Sequence, residues 1–166
     1  MFRKLNEMGL KSIMWGVESG SDRILSLIRK GTNVADMAKV LADSHKAGIK
    51  NIAYIIFGFP TETKEEFLMT IDFLKNNADN IDLISISVFG LQEGTYIYNH
   101  PEEFGITNIR REERTVLEPK ILYETTAGLT QKQANKLRAG YKRTIQKINK
   151  FPKEMNFFRE HMLALN

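Results

Sequence analysis

An acid and a base stand twelve residues apart in GVESGSDRILSLIRKG, the stretch from Gly16 to Gly31. Glu18 follows a short apolar run, Ile13-Met14-Trp15-Gly16-Val17, and Lys30 stands directly before Gly31. A carboxylate at a strand end is an acceptor suited to paired hydroxyls, such as those of a ribose. A lysine carried back toward it by a short helix offers a cation to a carboxylate or phosphate. In parallel β/α folds ligands sit beyond the C-terminal ends of the strands. Two more segments belong at that end, Gly58-Phe59-Pro60-Thr61-Glu62 and Gly90-Leu91-Gln92-Glu93. Gly58 and Gly90 let backbone approach a flat ring closely. Ser85 and Ser87 point into the same space if their strand face is a barrel interior.

Each of these features also has a purely structural explanation. Ser19 and Asp22 have capping-box spacing, so part of the turn simply starts a helix. Glu18 serves equally well as a structural acceptor. Lys30 near a helix C-terminus is favoured by the helix dipole alone, worth ~0.3–1 kcal/mol. GFPTET reads as a turn followed by a cap. His45, His100 and His161 are scattered without metal-like spacing, and there is no Ser/His/Asp arrangement or phosphate-binding glycine loop. The chain contains no cysteine. That excludes disulfides, a thiolate nucleophile and any thiolate-held zinc or iron–sulfur site built by these residues alone.

The elements that must position these groups alternate regularly. Phe2 to Met8 reads as a helix stopped at Gly9, Lys11 to Val17 as a strand, and Asp22 to Lys30 as a short helix closed by Gly31. Asn33, with Asp36 three residues on, caps a helix with a Val34, Met37, Leu41 stripe that ends at Gly48. NIAYIIF, residues 51 to 57, is a near-continuous apolar run typical of a parallel strand covered on both faces. Thr63 and Glu66 form a capping box for a helix with Phe67, Ile71 and Leu74 on one face. In IDLISISVF, residues 81 to 89, Ile84, Ile86 and Val88 alternate with Ser85, Ser87 and Phe89. This is the pattern of parallel β/α architecture. Three strands leave two unpaired edges, so the chain reads as part of a larger barrel. After Phe89 the sequence is turn-rich, and residues 107 to 129 are mixed. Thr130 with Gln133 starts a long basic helix ended by Pro152, and a last helix is expected over Lys153 to Leu165.

Composition bounds the class. The 166 residues, 42% hydrophobic and 27% charged, suit one soluble domain. No apolar run approaches the ~20 residues of a membrane span, and the N-terminus lacks the apolar centre of a signal peptide. A cytoplasmic location follows as the expectation. The net charge is +4, and eight Lys or Arg with no acid run from Lys132 to Lys153. Such a helix could touch nucleic acid or anionic lipid. The simpler expectation is a solvated face whose Leu137, Tyr141, Ile145 and Ile148 pack on the domain.

The stretch WGVESGSDRILSLIRKGTNVADMAKVLADSHKAGIKNIAYIIFGFPTETKEEFLMTIDFL resembles the second half of the radical S-adenosylmethionine (radical SAM) enzyme barrel. The resemblance rests on a G[IV]ESGS strand end, a KG closing the short helix and a GFP-x-ET turn, and continues through FGLQEGTYIYNHPEEFGI. The nearest subgroup is the one that often carries an N-terminal cobalamin-binding domain. The resemblance implies an α/β fold: a partial (half) TIM-like barrel of three parallel β/α units, barrel strands four to six, spanning residues 1–106. A mostly helical C-terminal extension over 107–166 follows. It places Glu18 on the cofactor's ribose and Lys30 on the carboxylate of its methionine part. Tyr54 and Ile56 then contact ribose and flank adenine, and Phe89 and Gly90 line adenine. The implied cofactor is S-adenosylmethionine, with cobalamin as a further cofactor of a parent enzyme. The family holds a 4Fe-4S cluster on a CxxxCxxC loop, which this cysteine-free chain lacks.

The expectation is therefore the S-adenosylmethionine-binding half of a radical SAM enzyme, inactive alone, with no catalytic or metal residue of its own. The parent would generate a 5′-deoxyadenosyl radical and abstract hydrogen from an unidentified substrate. An alternative is a non-enzymatic half barrel that self-associates, as a dimer, or complements a missing N-terminal half through bare edges at Lys11–Val17 and Ile81–Phe89. A third is another β/α-barrel enzyme using Glu18, Glu62 and Glu93 as acid–base groups.

Overall fold

The computed structural model describes residues 1–114 and 120–150. Helix α1 (Phe2–Glu7) leads to strand β1 (Ser12–Glu18), helices α2 (Asp22–Leu27) and α3 (Val34–Lys46), and strand β2 (Lys50–Phe57). Helix α4 (Lys64–Asn76), strand β3 (Leu83–Val88) and the short helix α5 (Tyr96–Asn99) follow. An antiparallel pair, β4 (Ile106–Glu112) and β5 (Lys120–Thr125), then precedes the long helix α6 (Gln131–Ile148).

The strands β1, β2 and β3 form one parallel sheet in that order. The caps act where their chemistry places them. The Asn33 side chain accepts from the Asp36 amide, and Thr63/Glu66 and Thr130/Gln133 form reciprocal capping boxes. One assignment is corrected: α2 is capped by Ser21, whose hydroxyl accepts from Ile24, not by Ser19. The α2 helix is also shorter than its sequence pattern suggests, ending at Leu27 with Arg29 and Gly31 both at positive φ.

The helices pack on one face of the sheet only. Trp15, Val17, Ala53, Ile55, Phe57, Ile84, Ile86 and Val88 meet Leu41 from α3, Phe67, Ile71 and Leu74 from α4, and Ile145 from α6 in one cluster. The Phe57 and Phe67 rings lie 4.3 Å apart at its centre. Each such fully buried side chain contributes ~1.5–3 kcal/mol. The expectation that β2 is covered on both faces is thus half right. Its other face carries Tyr54, 37% exposed, and half-buried Ile56. Met14 of β1 and Ser85 and Ser87 of β3 share that open face.

Beyond the C-terminal strand ends, Ile24, Phe59, Leu91, Phe104, Ile106 and Ile121 form a second cluster, with Phe89 and Tyr123 packed against it. It ties the 90–105 excursion and the β4–β5 pair to the sheet. The extension after residue 106 therefore begins as a β-hairpin and is not mostly helical, since β4 and β5 pair before α6 starts. The expected helix over Lys153–Leu165 lies outside the described residues. The basic helix packs as anticipated, with Leu137, Tyr141, Ile145 and Ile148 against the core.

The opposite end of the sheet is locked by polar contacts. Asn51 donates to Leu41 and Asn80 carbonyls and accepts from the Trp15 indole at 2.8 Å, while its amide donates to Asp82. The edge of β3 is not bare at its start: the Ile84 amide donates to the Asn149 side chain, and the Lys150 amide to the Asp82 carbonyl. Among the described residues no helix is long and apolar enough to cross a membrane.

Candidate functional site

Glu18 closes β1 in an unusual conformation. Its φ is +63°, and the Ser19 amide donates to the Val17 carbonyl across it at 2.8 Å. An i to i+2 bond around a positive φ marks the rarer, strained γ-turn, and the strain costs about 1–3 kcal/mol. The β1–β2 register slips at the same place, between Gly16 and Glu18. Neighbouring contacts over-determine the turn. The Gly20 amide donates to Thr70 Oγ1 at 2.8 Å, and buried Ser19 shares a 3.3 Å hydroxyl contact with the same atom. A Cβ on Gly20 would come within 2.7 Å of α4 backbone, so only glycine lets the turn press this close.

The acid and base of the opening motif meet directly. Lys30 Nζ donates to Glu18 Oε1 at 3.0 Å, with the side chains 31% and 16% exposed. They meet over Gly16, where a Cβ would lie 2.5 Å from both groups. The missing side chain at Gly16 is what lets the pair form. Across the sheet Gly16 pairs with Tyr54 and Glu18 with Ile55, while Ile56 pairs with Ser87. The open-face strand ends therefore present an ion pair, then Tyr54 and Ile56, then serines. Tyr54 also donates to Met14 Sδ at 3.4 Å. Phe89 continues β3, its amide donating to the Phe57 carbonyl, and its ring packs on Phe59 at 4.9 Å. Gly90 is exposed just beyond.

Two carboxylates behind this surface escaped the chemistry read from sequence. Glu66 accepts from the Ser21 hydroxyl at 2.9 Å, from Arg23 at 2.7 and 2.6 Å, and from the Thr63 amide at 2.9 Å. Burial pushes its carboxyl upward, but the Arg23, Thr63 and Ser21 hydrogen bonds outweigh that and hold it at about 2. Its sequence signal was only half legible, as the third residue of a capping box. Glu62 is fully buried in the GFPTET turn. It accepts from the Gly58 amide, and its Oε1 has no hydrogen-bond partner among the described residues. Burial pushes it up to about 7, the Gly58 bond and Arg23 pulling down and the Glu66 charge adding to the rise.

Glu18, Glu62 and Glu93 do not form one acid–base constellation. Glu18 pairs with Lys30, Glu62 is enclosed, and Glu93 pairs with Arg111 at 3.1 Å on the surface. Among the described residues no group of His, Asp and Glu could hold a metal ion.

Residues 1–74 match the model of the Radical SAM superfamily. An uncharacterised methyltransferase of Pyrococcus horikoshii is 31% identical over 106 residues, 64% of this chain and 22% of that protein. A tRNA-2-methylthio-N(6)-dimethylallyladenosine synthase of Thermotoga petrophila is 30% identical over 93 residues, 54% of this chain and 20% of that protein. The chain thus spans about a fifth of the length of these relatives. In structure it is similar to coproporphyrinogen III oxidase from Escherichia coli, a radical SAM enzyme, with a TM-score of 0.56 and 15% identity. That likeness covers 86% of this chain and 29% of the oxidase, and it concerns the fold. Over residues 1–74, then, this chain carries a segment of the radical SAM superfamily, set in an α/β fold that a radical SAM enzyme shares.

Proposed function

We propose that this chain is the later half of a radical SAM barrel, strands four to six, and supplies one wall of an S-adenosylmethionine site. The observation that supports it most directly is the Glu18–Lys30 pair on the helix-free face of the sheet, beside Tyr54 and Ile56. A zwitterionic ligand bearing a ribose needs an anion acceptor and a cation at such a spacing. The pair is partly solvated, so parting it costs only about 0–1 kcal/mol. Glu18 then accepts from the ribose hydroxyls and Lys30 donates to the carboxylate. Tyr54 and Ile56 flank the sugar and ring, and Phe89 and Gly90 border adenine.

In a parent enzyme, bound S-adenosylmethionine supplies a 5′-deoxyadenosyl radical once reduced. The residues described here bind and orient. They do not fit a 4Fe-4S cluster, because the chain has no cysteine and no other cluster of ligating side chains is described. No electron-transfer step is assigned to them, and in this reading the chain alone is inactive. The names of the relatives favour methyl or methylthio transfer as the parent reaction. Assignment to the cobalamin-associated subgroup rests on the motif resemblance. A cytoplasmic location and completion by an N-terminal half, docking on the free edge of β1, belong to the same reading. That edge also serves the second reading, in which two copies pair through it.

Equilibrium dialysis against S-adenosylmethionine tests the assignment. The chain should bind weakly, in the millimolar range, since half the shell is missing. Glu18→Ala and Lys30→Ala should each weaken binding by about tenfold, the loss of one charge-assisted contact. Equal affinity in all three proteins would sink it.

A further inference from the structure

A second concavity lies on the far side of Phe89 and Gly90 from the Glu18–Lys30 pair. It has a volume of about 660 Å³ and is enclosed by the end of β3, the start of β5 and the first turns of α6. That volume is within the range of small-molecule sites. Its charged lining residues are Arg114, Lys120, Lys132 and Arg138, and none of the described residues lining it is acidic. Elsewhere at this end of the sheet the cations are neutralised. Arg23 pairs with Glu66, Arg29 with Glu103, Arg110 with Glu124 and Arg111 with Glu93. Lys120, Lys132 and Arg138 have no ion-pair partner among the described residues.

The α6 helix sorts its charges by face. Lys132, Asn135 and Arg138 recur at intervals of three and line the concavity, with Ala134, Leu137 and Tyr141 turned to the core. Lys136, Lys142, Arg143 and Lys147 are left on the solvent side. The Gln92 and Asn135 amides add neutral donors to the lining. The first turn of α6, an 18-residue helix, adds the positive end of its dipole.

We propose that this concavity binds the phosphate group of a small substrate, held by Lys120, Lys132 and Arg138. The guanidinium fork of Arg138 and two ammonium groups match a phosphate dianion in charge and donor number. That the ligand is a substrate rests on the cofactor assignment above, because Phe89 and Gly90 border both sites. An enclosed concavity favours a small phosphorylated molecule over a nucleic-acid backbone, which the outer face of α6 would track instead.

Amide-resolved NMR titration of the chain with inorganic pyrophosphate decides the matter. Perturbations should centre on Gly90, Gln92 and Asn135, and a Lys132→Ala/Arg138→Ala variant should bind at least about tenfold more weakly. A Lys142→Ala/Arg143→Ala variant, altered on the solvent face alone, should bind as the parent does. Absence of perturbation at about 10 mM pyrophosphate, a level that detects even weak sites, would overturn the proposal. So would equal loss in the two double variants, or a short single-stranded oligonucleotide that binds while pyrophosphate does not. S-adenosylmethionine perturbations at Glu18 and Tyr54 should survive in the Lys132→Ala/Arg138→Ala variant. Their absence in every protein, with pyrophosphate binding intact, would instead count against the cofactor assignment and leave the anion site standing.

Discussion

Replacing Glu66 with alanine destabilises the protein by about 2–3 kcal/mol, from a lost cap of about 1 kcal/mol and the stranded partners of a buried carboxylate. Four donor contacts converge on this side chain: Ser21, two from Arg23 and the Thr63 amide. Its loss leaves the buried Ser21 hydroxyl without its acceptor. The Arg23 side chain is 51% exposed, so water recovers much of its charge, which keeps the cost below that of a fully buried ion pair. Glu66→Gln retains an acceptor for the cap and should cost about 1 kcal/mol. Urea unfolding at pH 7 measures both. Equal midpoints for parent and alanine variant would show that the turn is held without Glu66. The charge also sets an acid limit. Its folded pKa is lowered to about 2, so its contribution is complete above the ordinary value of 4.5 and disappears as the pH falls toward 2.

Glu62 works in the opposite sense, and Glu62→Gln should stabilise the protein above neutral pH. The folded carboxyl is raised to about 7 from an ordinary 4.5, so the folded state binds a proton that the unfolded state has released. Stability from this group is present below 4.5 and is lost as the pH rises through about 7. The difference amounts to roughly 2–3 kcal/mol. Glutamine keeps an acceptor for the Gly58 amide and cannot ionise. Stability curves of parent and variant should therefore lie close at pH 4.5 and separate by pH 8, with the variant higher. Parallel curves across that range would mean that the turn opens to hydrate Glu62 at little cost.

The sheet and its helices were legible because their signals are local. NIAYIIF can only be a buried strand, and Asn33, Thr63 and Thr130 announce their helices within four residues. The hairpin was not, for a physical reason. In β4 only Ile106 is buried, and Asn108 at φ +50° sits in a register shift that breaks the two-residue period. A strand that leans on one cluster at one end shows no alternation. The meeting of Glu18 and Lys30 was foreshadowed by spacing, since one short helix joins them. The Arg23–Glu66 contact spans 43 residues and depends on how α4 lies over the turn, which no local pattern encodes. Ser19 misled for a related reason: its hydroxyl was taken for a cap, while burial against Thr70 gave it another partner.

The most direct test of the central claim is where S-adenosylmethionine lies on the chain. Intermolecular nuclear Overhauser effects between its adenine and ribose protons and the protein's side chains would locate it. Contacts to the Ile56 methyls and the Tyr54 ring are the predicted result, because those residues stand on the helix-free face beside the Glu18–Lys30 pair. Contacts confined to Met37 and Val40, on the helix side of β1, would place the ligand in a different cavity and contradict the account.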